Sequence, residues 1–237
     1  MSCYGTAITV GEDNRYMELL VVTLAHTLPG RDADVLARIR LISDTVRNAP
    51  GLVTARFYRS REHGSYYFML TTWEDEGWWQ KAQERYNPKH LLLASASELL
   101  SASPEQWWMQ YLWGYSRPAA QPVLAAAHIA TIRSDQVELA QRGWLEGLRR
   151  QVVQPILAFA FLARGANEEI LLPQIASTPN NKATDGLLSQ QSTLFLNLLS
   201  WPGEREREVF YADQAYQAVS HFLNNIGALQ VLSLDPL

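Results

Sequence analysis

Three histidines stand where a side chain could move a proton or ligate a metal near neutral pH. His26 and His128 each close or occupy the first apolar strand of one half of the chain, a short way ahead of the first helix, and His90 follows a helix break at Asn87-Pro88. A neutral imidazole accepts a proton, or ligates a metal when its second ring nitrogen finds an acceptor. Each also has a plainer reading: His26 and His128 as hydrogen-bonding groups at strand ends, His90 as a solvated or helix-capping residue. His221, beside Phe222, reads as a polar pocket residue or as helix surface.

Aromatic side chains form the second candidate set, and they crowd the first half. Tyr58, Tyr66, Tyr67, Tyr86, Trp107, Trp108, Tyr111, Trp113 and Tyr115 have few counterparts later in the chain. Strand alternation sends Trp107, Met109, Tyr111 and Trp113 to one face. Such a surface suits a flat, apolar ligand with polar edges, and equally a packed core. Trp78 and Trp79 lie about 100° apart on a helix, so one enters the core and the other lines a cavity or the surface. Trp73 and Trp201 end equivalent strands, where a large aromatic locks helix to sheet.

Composition removes several classes of chemistry. There is no Gly-rich phosphate loop, no Gly-x-Ser-x-Gly, no His-Glu-x-x-His and no cysteine-based metal spacing, since Cys3 is the single cysteine. Hydride transfer, phosphoryl transfer and zinc hydrolysis are disfavoured, and no metal site is expected. A net charge of -4 without a basic stripe disfavours nucleic acid and anionic membranes as partners. No leader-like start and no apolar run of about 18 residues is present, which reads as a soluble, cytoplasmic protein. What remains is chemistry that needs a shaped apolar pocket with a weak base or donor.

These residues must be positioned by elements that occur twice. From Leu19 to Tyr115 the pattern is strand, helix, strand, strand, helix, strand, and a degenerate copy runs from Val123 to Leu234. In the first copy Asp32 is the expected cap of a helix carrying Val35, Leu36, Ile39, Ile42 and Val46, and Glu62-His63-Gly64-Ser65 is a hairpin turn. The second helix starts near Asp75 and breaks at Asn87-Pro88. In the second copy Ile156 to Ala163 is the second strand, and Glu204 to Asn225 a single helix. The fold class is α+β: two ferredoxin-like (βαββαβ) domains packed sheet to sheet as an intramolecular barrel. The expected division is an N-terminal segment 1–16, a first domain 17–116, a linker 117–122 and a second domain 123–237, with an insertion at 173–191.

Ala49-Pro50-Gly51-Leu52-Val53 before the second strand, Phe68-Met69-Leu70-Thr71-Thr72-Trp73-Glu74-Asp75-Glu76 closing the third, and a helix ending His90-Leu91-Leu92 resemble the antibiotic biosynthesis monooxygenase family of the dimeric α+β barrel superfamily. The resemblance covers the first half well and the second in topology and at Trp201. It implies a homodimer fused into one chain, a monomeric pseudo-dimer or a further homo-oligomer, with a pocket between the helices and sheet of each unit. It also implies a cofactor-independent monooxygenase acting on an aromatic or enolisable small molecule in the N-terminal pocket. His26, His90 and Tyr58 are the expected catalytic residues; Trp73, Trp78, Trp79, Tyr86, Tyr67, Tyr111 and Trp113 are the expected substrate contacts. No cofactor is expected on that reading. Haem-degrading relatives imply a haem-binding alternative through His90 or His26, and the thinner second half suggests a non-catalytic binding or scaffold protein.

Overall fold

A computed structural model describes residues 6–8, 18–61, 66–154, 156–166 and 192–237. The hairpin turn 62–65 and the insertion 173–191 lie outside the described residues. The first half runs β1 (Thr6–Ile8), β2 (Leu19–His26), α1 (Asp32–Val46), β3 (Leu52–Ser60), β4 (Tyr66–Trp73), α2 (Glu76–Tyr86), α3 (Pro88–Ala96) and β5 (Glu105–Ser116). The second runs β6 (Leu124–Arg133), α4 (Val137–Gln151), β7 (Phe159–Gly165), β8 (Ser192–Trp201), α5 (Glu204–Ala212), α6 (Gln214–Ile226) and β9 (Gly227–Pro236).

Both halves place their last strand beside the first and the third between first and second, giving the orders β5-β2-β4-β3 and β9-β6-β8-β7. All neighbours are antiparallel. The two four-stranded sheets do more than face each other. They join at both edges, β3 to β9 through Tyr58↔Pro236 and β5 to β7 from Met109↔Gly165 to Ser116↔Phe159. Eight strands thereby close into a barrel whose bore is packed with side chains along most of its length. Inward positions alternate with outward ones: Leu20, Val22, Leu24, Phe68, Leu70, Met109, Leu194, Leu196, Leu198 and Leu234 meet in the bore. Ala125 and Ala127 keep β6 slim enough for the larger groups opposite.

The helices cover the outer face. Val35, Ile39, Ile42 and Val46 put one stripe of α1 onto Ala25, Phe57, Tyr67 and Met69. Ala140, Trp144 and Leu148 of α4 and Leu223 of α6 do the same against Ala126, Ala130, Leu162 and Leu199. Asp75 caps α2 by accepting from the Trp78 amide at 2.8 Å.

Four expectations change. Asp32 is not the cap of α1, which begins after Arg31 without a side-chain cap; Asp32 instead accepts from the Tyr67 hydroxyl (2.8 Å) and pairs with Arg59. The single helix expected from Glu204 is two, because Asp213 accepts from the Ala215 and Tyr216 amides and starts α6 afresh. That repeats the Asn87 cap of α3, without a proline to signal it. The strand expected from Ile156 starts only at Phe159. Lastly, a bulge between Tyr111 and Trp113 turns Trp113 and Tyr115 outward onto the second half's helix layer while Tyr111 stays in the bore.

Gly51 shows how closely the β3 entry is fitted. Its φ is +75°, and a Cβ there would lie 2.4 Å from Trp78 Cγ. Gly30, at φ +78°, faces open space. Gly51→Ala is therefore expected to cost about 1–3 kcal/mol and Gly30→Ala about 1 kcal/mol. Urea unfolding midpoints of the two variants give the difference that belongs to the Trp78 contact.

Candidate functional site

Each half has a layer between sheet and helices, and the two layers differ in what they bury. In the first, the outward residues Val21, Thr23, Ala25, Tyr67, Met69, Thr71 and Trp73 have essentially no accessible surface. Polar groups there satisfy one another. Gln106 donates Nε2 to Thr23 Oγ1 (2.9 Å) and to Asn87 Oδ1 (2.7 Å), and Asn87 Oδ1 also accepts from the Lys89 amide. The Trp73 indole donates to Thr71 Oγ1 at 3.0 Å and its ring meets Trp79 with centroids 5.2 Å apart. Tyr86 and Trp108 pack on the same cluster. Trp78 covers Gly51 and lies beneath Lys81. These residues pack closely on one another, and the Trp79 indole nitrogen is buried among them without a protein partner.

The second layer buries an imidazole with one ring nitrogen lacking a protein partner. Counting from the strand-terminal tryptophans, Leu19↔Trp73 and Leu124↔Trp201, His128 stands opposite Asn197 where the first half has Thr23 opposite Met69. His128 and His26 are therefore not equivalent, as their distances from the helices had implied: His26 corresponds to Thr131. His128 is 1% exposed, its Nε2 lies 3.1 Å from the Tyr216 hydroxyl, and its Nδ1 has no hydrogen-bond partner. Burial pushes the imidazolium down to about 4, the Asn197 backbone pulling the other way. The ring is neutral at pH 7.

Around His128 the polar groups converge. Asn197, with its amide oriented by its neighbours, donates to the Phe161 carbonyl (2.9 Å) and accepts from the Trp144 indole (3.2 Å). Tyr216 stands edge-on to the imidazole, centroids 5.7 Å apart, and hydrogen-bonds Ser220 on its outer side. Tyr211 lies 6.1 Å away, and burial holds both phenols un-ionised. Between α4, α6 and the sheet these groups enclose about 10 Å³, room for one water. Gly147 lets Val219 approach so closely that a Cβ there would meet it at 2.4 Å. A larger guest must therefore displace α6 from α4.

The expected catalytic residues are dispersed. His26, at the end of β2, stacks on Tyr66 (4.4 Å, 10°) and its Nδ1 meets the Ser101 hydroxyl at 2.7 Å. His90 is exposed on α3, with Nδ1 3.2 Å from the Gln83 carbonyl. Neither surrounding is the apolar slot that an axial ligand of a haem requires. Tyr58 is buried in the bore, and Tyr67 faces away from it toward Asp32. Tyr111 lies in the bore at the opposite end from His26, lining a separate cavity. The groups absent from the expected set are Asn197, Trp144, Tyr211, Tyr216 and Arg56.

Residues 19–86, from β2 to the end of α2, match the antibiotic biosynthesis monooxygenase family. The antibiotic biosynthesis monooxygenase match thus spans the first half's sheet core, while the second half shares its strand order. Three solved structures reproduce the fold over nearly the whole chain. One from Fusobacterium nucleatum, provisionally designated a monooxygenase, has a TM-score of 0.68 at 6% identity, covering 93% of both chains. One from Lactobacillus acidophilus, designated likewise, gives 0.63 at 7%, covering 93% of this chain and 94% of that one. A protein described as anthrone oxidase-like gives 0.68 at 10%, covering 98% and 94%. No curated protein matches the chain. Among the described residues no helix is long and apolar enough to cross a membrane.

Proposed function

We propose that the chain is a cofactor-independent monooxygenase for an enolisable aromatic small molecule, and that the reaction occurs beside His128 in the second half. The observation that carries this is the buried neutral imidazole whose Nδ1 has no protein partner, beside the small space that His128, Asn197 and Tyr216 line. A buried polar atom left unpaired costs roughly 1–3 kcal/mol, and such groups gather where a substrate completes them. The family of residues 19–86 and the monooxygenase designations of structural neighbours support the reaction class. This location differs from the N-terminal pocket expected from sequence; what favours it is the convergence of His128, Asn197, Trp144 and Tyr216 in the second layer.

The chemistry follows from the groups present. With Nε2–H donating to Tyr216, Nδ1 offers a bare lone pair to an enol or phenol proton. The imidazolium that forms is disfavoured in the empty layer, and the enolate left beside it restores the balance by charge pairing. The enolate is the electron-rich species that passes one electron to O₂. Superoxide and the substrate radical combine at carbon, and the peroxide loses water. For anthrone, suggested by the anthrone oxidase-like neighbour, the balance is anthrone plus O₂ giving anthraquinone plus water, the substrate's own two hydrogens serving as reductant. Tyr216 and Ser220 lead the proton outward along α6.

The test is oxygen uptake with anthrone at pH 7, corrected for the uncatalysed rate. Catalysed uptake is expected without added flavin, metal or haem, and His128→Gln is expected to lower it by about 10²–10⁴-fold while the fold at pH 7 persists. Uptake that survives in His128→Gln, or that requires an added cofactor, contradicts the assignment.

A further inference from the structure

A cavity of about 280 Å³ opens at the end of the barrel where β2 and β7 begin and β4 and β5 finish. It lies inside the bore, on the opposite side of the sheet from the helix layers. Its walls are apolar and aromatic: Leu20, Leu70, Tyr111, Phe159 and Phe161. Tyr111 and Phe161 lie nearly parallel, 28° apart with centroids separated by 6.1 Å. Tyr111 keeps its place because Gly114 has no side chain, its hydroxyl occupying the space of the missing Cβ.

Into this apolar space projects Arg56. Its guanidinium lies 4.2 Å above the centre of the Phe159 ring and hydrogen-bonds the buried Tyr58 hydroxyl. Among the described residues no carboxylate pairs with it. Several other arginines do pair with carboxylates: Arg59 with Asp32, Arg61 with Glu204 and Asp235, Arg164 with Glu138, Arg207 with Glu204. Arginine stacked on an aromatic ring retains a free edge for a planar, two-pronged anion. The donors beside it agree. Burial and the nearby Glu18 charge push the Tyr111 phenol up to about 12, so it stays a neutral donor, and the Thr54 and Thr72 hydroxyls lie 3.2 Å from each other at the same wall. Glu18 is the opposing charge; it is exposed at the rim, where water screens it.

We infer that the barrel mouth is a binding site for a small planar aromatic carboxylate of one or two rings. The ring system slots between Leu20, Leu70, Tyr111 and Phe161, and the carboxylate takes the free edge of Arg56. The volume is at the lower end of small-molecule sites, which excludes a larger polycycle. This site does not depend on the oxygenase reading: it shares no side chain with His128, although Phe161 lines the cavity with its ring and receives Asn197 on its carbonyl.

The experiment is titration of the full chain with 1-naphthoate and, separately, with the neutral 1-naphthalenemethanol, followed by calorimetry. Naphthoate is expected to bind at least about tenfold more tightly, with the preference shrinking as salt rises. Arg56→Met is expected to abolish the preference, and Arg56→Lys to keep part of it. Backbone amide shifts at Thr54 and Thr72 on adding naphthoate to the wild-type protein locate the site without any substitution. Equal affinity for the two compounds, a preference unchanged in folded Arg56→Met, or shifts that avoid the barrel mouth would each overturn the inference.

Discussion

Trp73→Ala is expected to destabilise the protein by about 3–5 kcal/mol, read from urea unfolding at pH 7. The indole has no accessible surface, meets Trp79 at a tilt of 54° and fixes α2 to the end of β4. Its removal leaves a cavity at the strand–helix junction that two flanking elements cannot collapse into. The second half supplies an internal comparison. Trp201 is equally buried and packs on Phe210 and Tyr211, but Leu199 stands where Thr71 stands in the first half, so its indole nitrogen has no protein partner. Replacement by phenylalanine should therefore cost about 1 kcal/mol more at Trp73 than at Trp201, the worth of one buried hydrogen bond. Equal costs would mean that Thr71 does not anchor the ring.

Acid should destabilise the fold through His128 in a defined window. The unfolded chain protonates this histidine near pH 6.5, its ordinary value, whereas burial delays protonation in the folded state to about 4. Above pH 6.5 both states are neutral and the group contributes no pH dependence. Between 6.5 and 4 the unfolded state binds a proton that the folded state refuses, so stability falls by roughly 3 kcal/mol across the window. Below about 4 the loss is complete. The carboxylates titrate in wild type and His128→Gln alike, so subtracting the two stability–pH curves isolates the histidine. Parallel curves between pH 6.5 and 4 would show that His128 is solvated.

The same residue marks the boundary of what the sequence could convey. Strand and helix identities were legible because apolar periods of 2 and 3.6 survive in both halves, and the Pro-Gly and Trp-Glu-Asp-Glu punctuation of the first half carried the family likeness. Three-dimensional equivalence was not. His26 and His128 lie at similar distances from their following helices, but pairing register decides the face, and register places His26 at a strand end and His128 under α6. Trp113 was misplaced for a related reason: one inserted residue at the β5 bulge inverts every later side chain, and alternation counted along the sequence cannot detect it. The Asp213 break lacked a proline, so the α5–α6 junction that sets Tyr216 against His128 stayed hidden in a continuous helical pattern. Nothing in the sequence around Arg56 discloses that the barrel mouth forms beside it.

The aromatic load of the first half also reads differently in the fold. Trp73, Trp79, Tyr86 and Trp108 pack in a layer in which Thr23, Asn87 and Gln106 satisfy one another; Phe57 and Tyr67 lie under α1, while Tyr58, Trp107 and Tyr111 enter the bore and Trp113 and Tyr115 reach the neighbouring half's helices. The second half, poorer in aromatic residues, retains the unpaired base. Aromatic abundance marks packing here, and the candidate chemistry lies where a buried base, His128, meets Tyr216 and Asn197.

The most direct test of the reaction site is a crystal structure of the protein soaked with anthrone under strict exclusion of oxygen. The ligand should lie between α6 and β6, with α6 displaced from α4 and the ligand oxygen within about 2.6–3.2 Å of His128 Nδ1. Anthrone seated instead beside Trp79 in the first layer, or in the barrel mouth with His128 untouched, would contradict it.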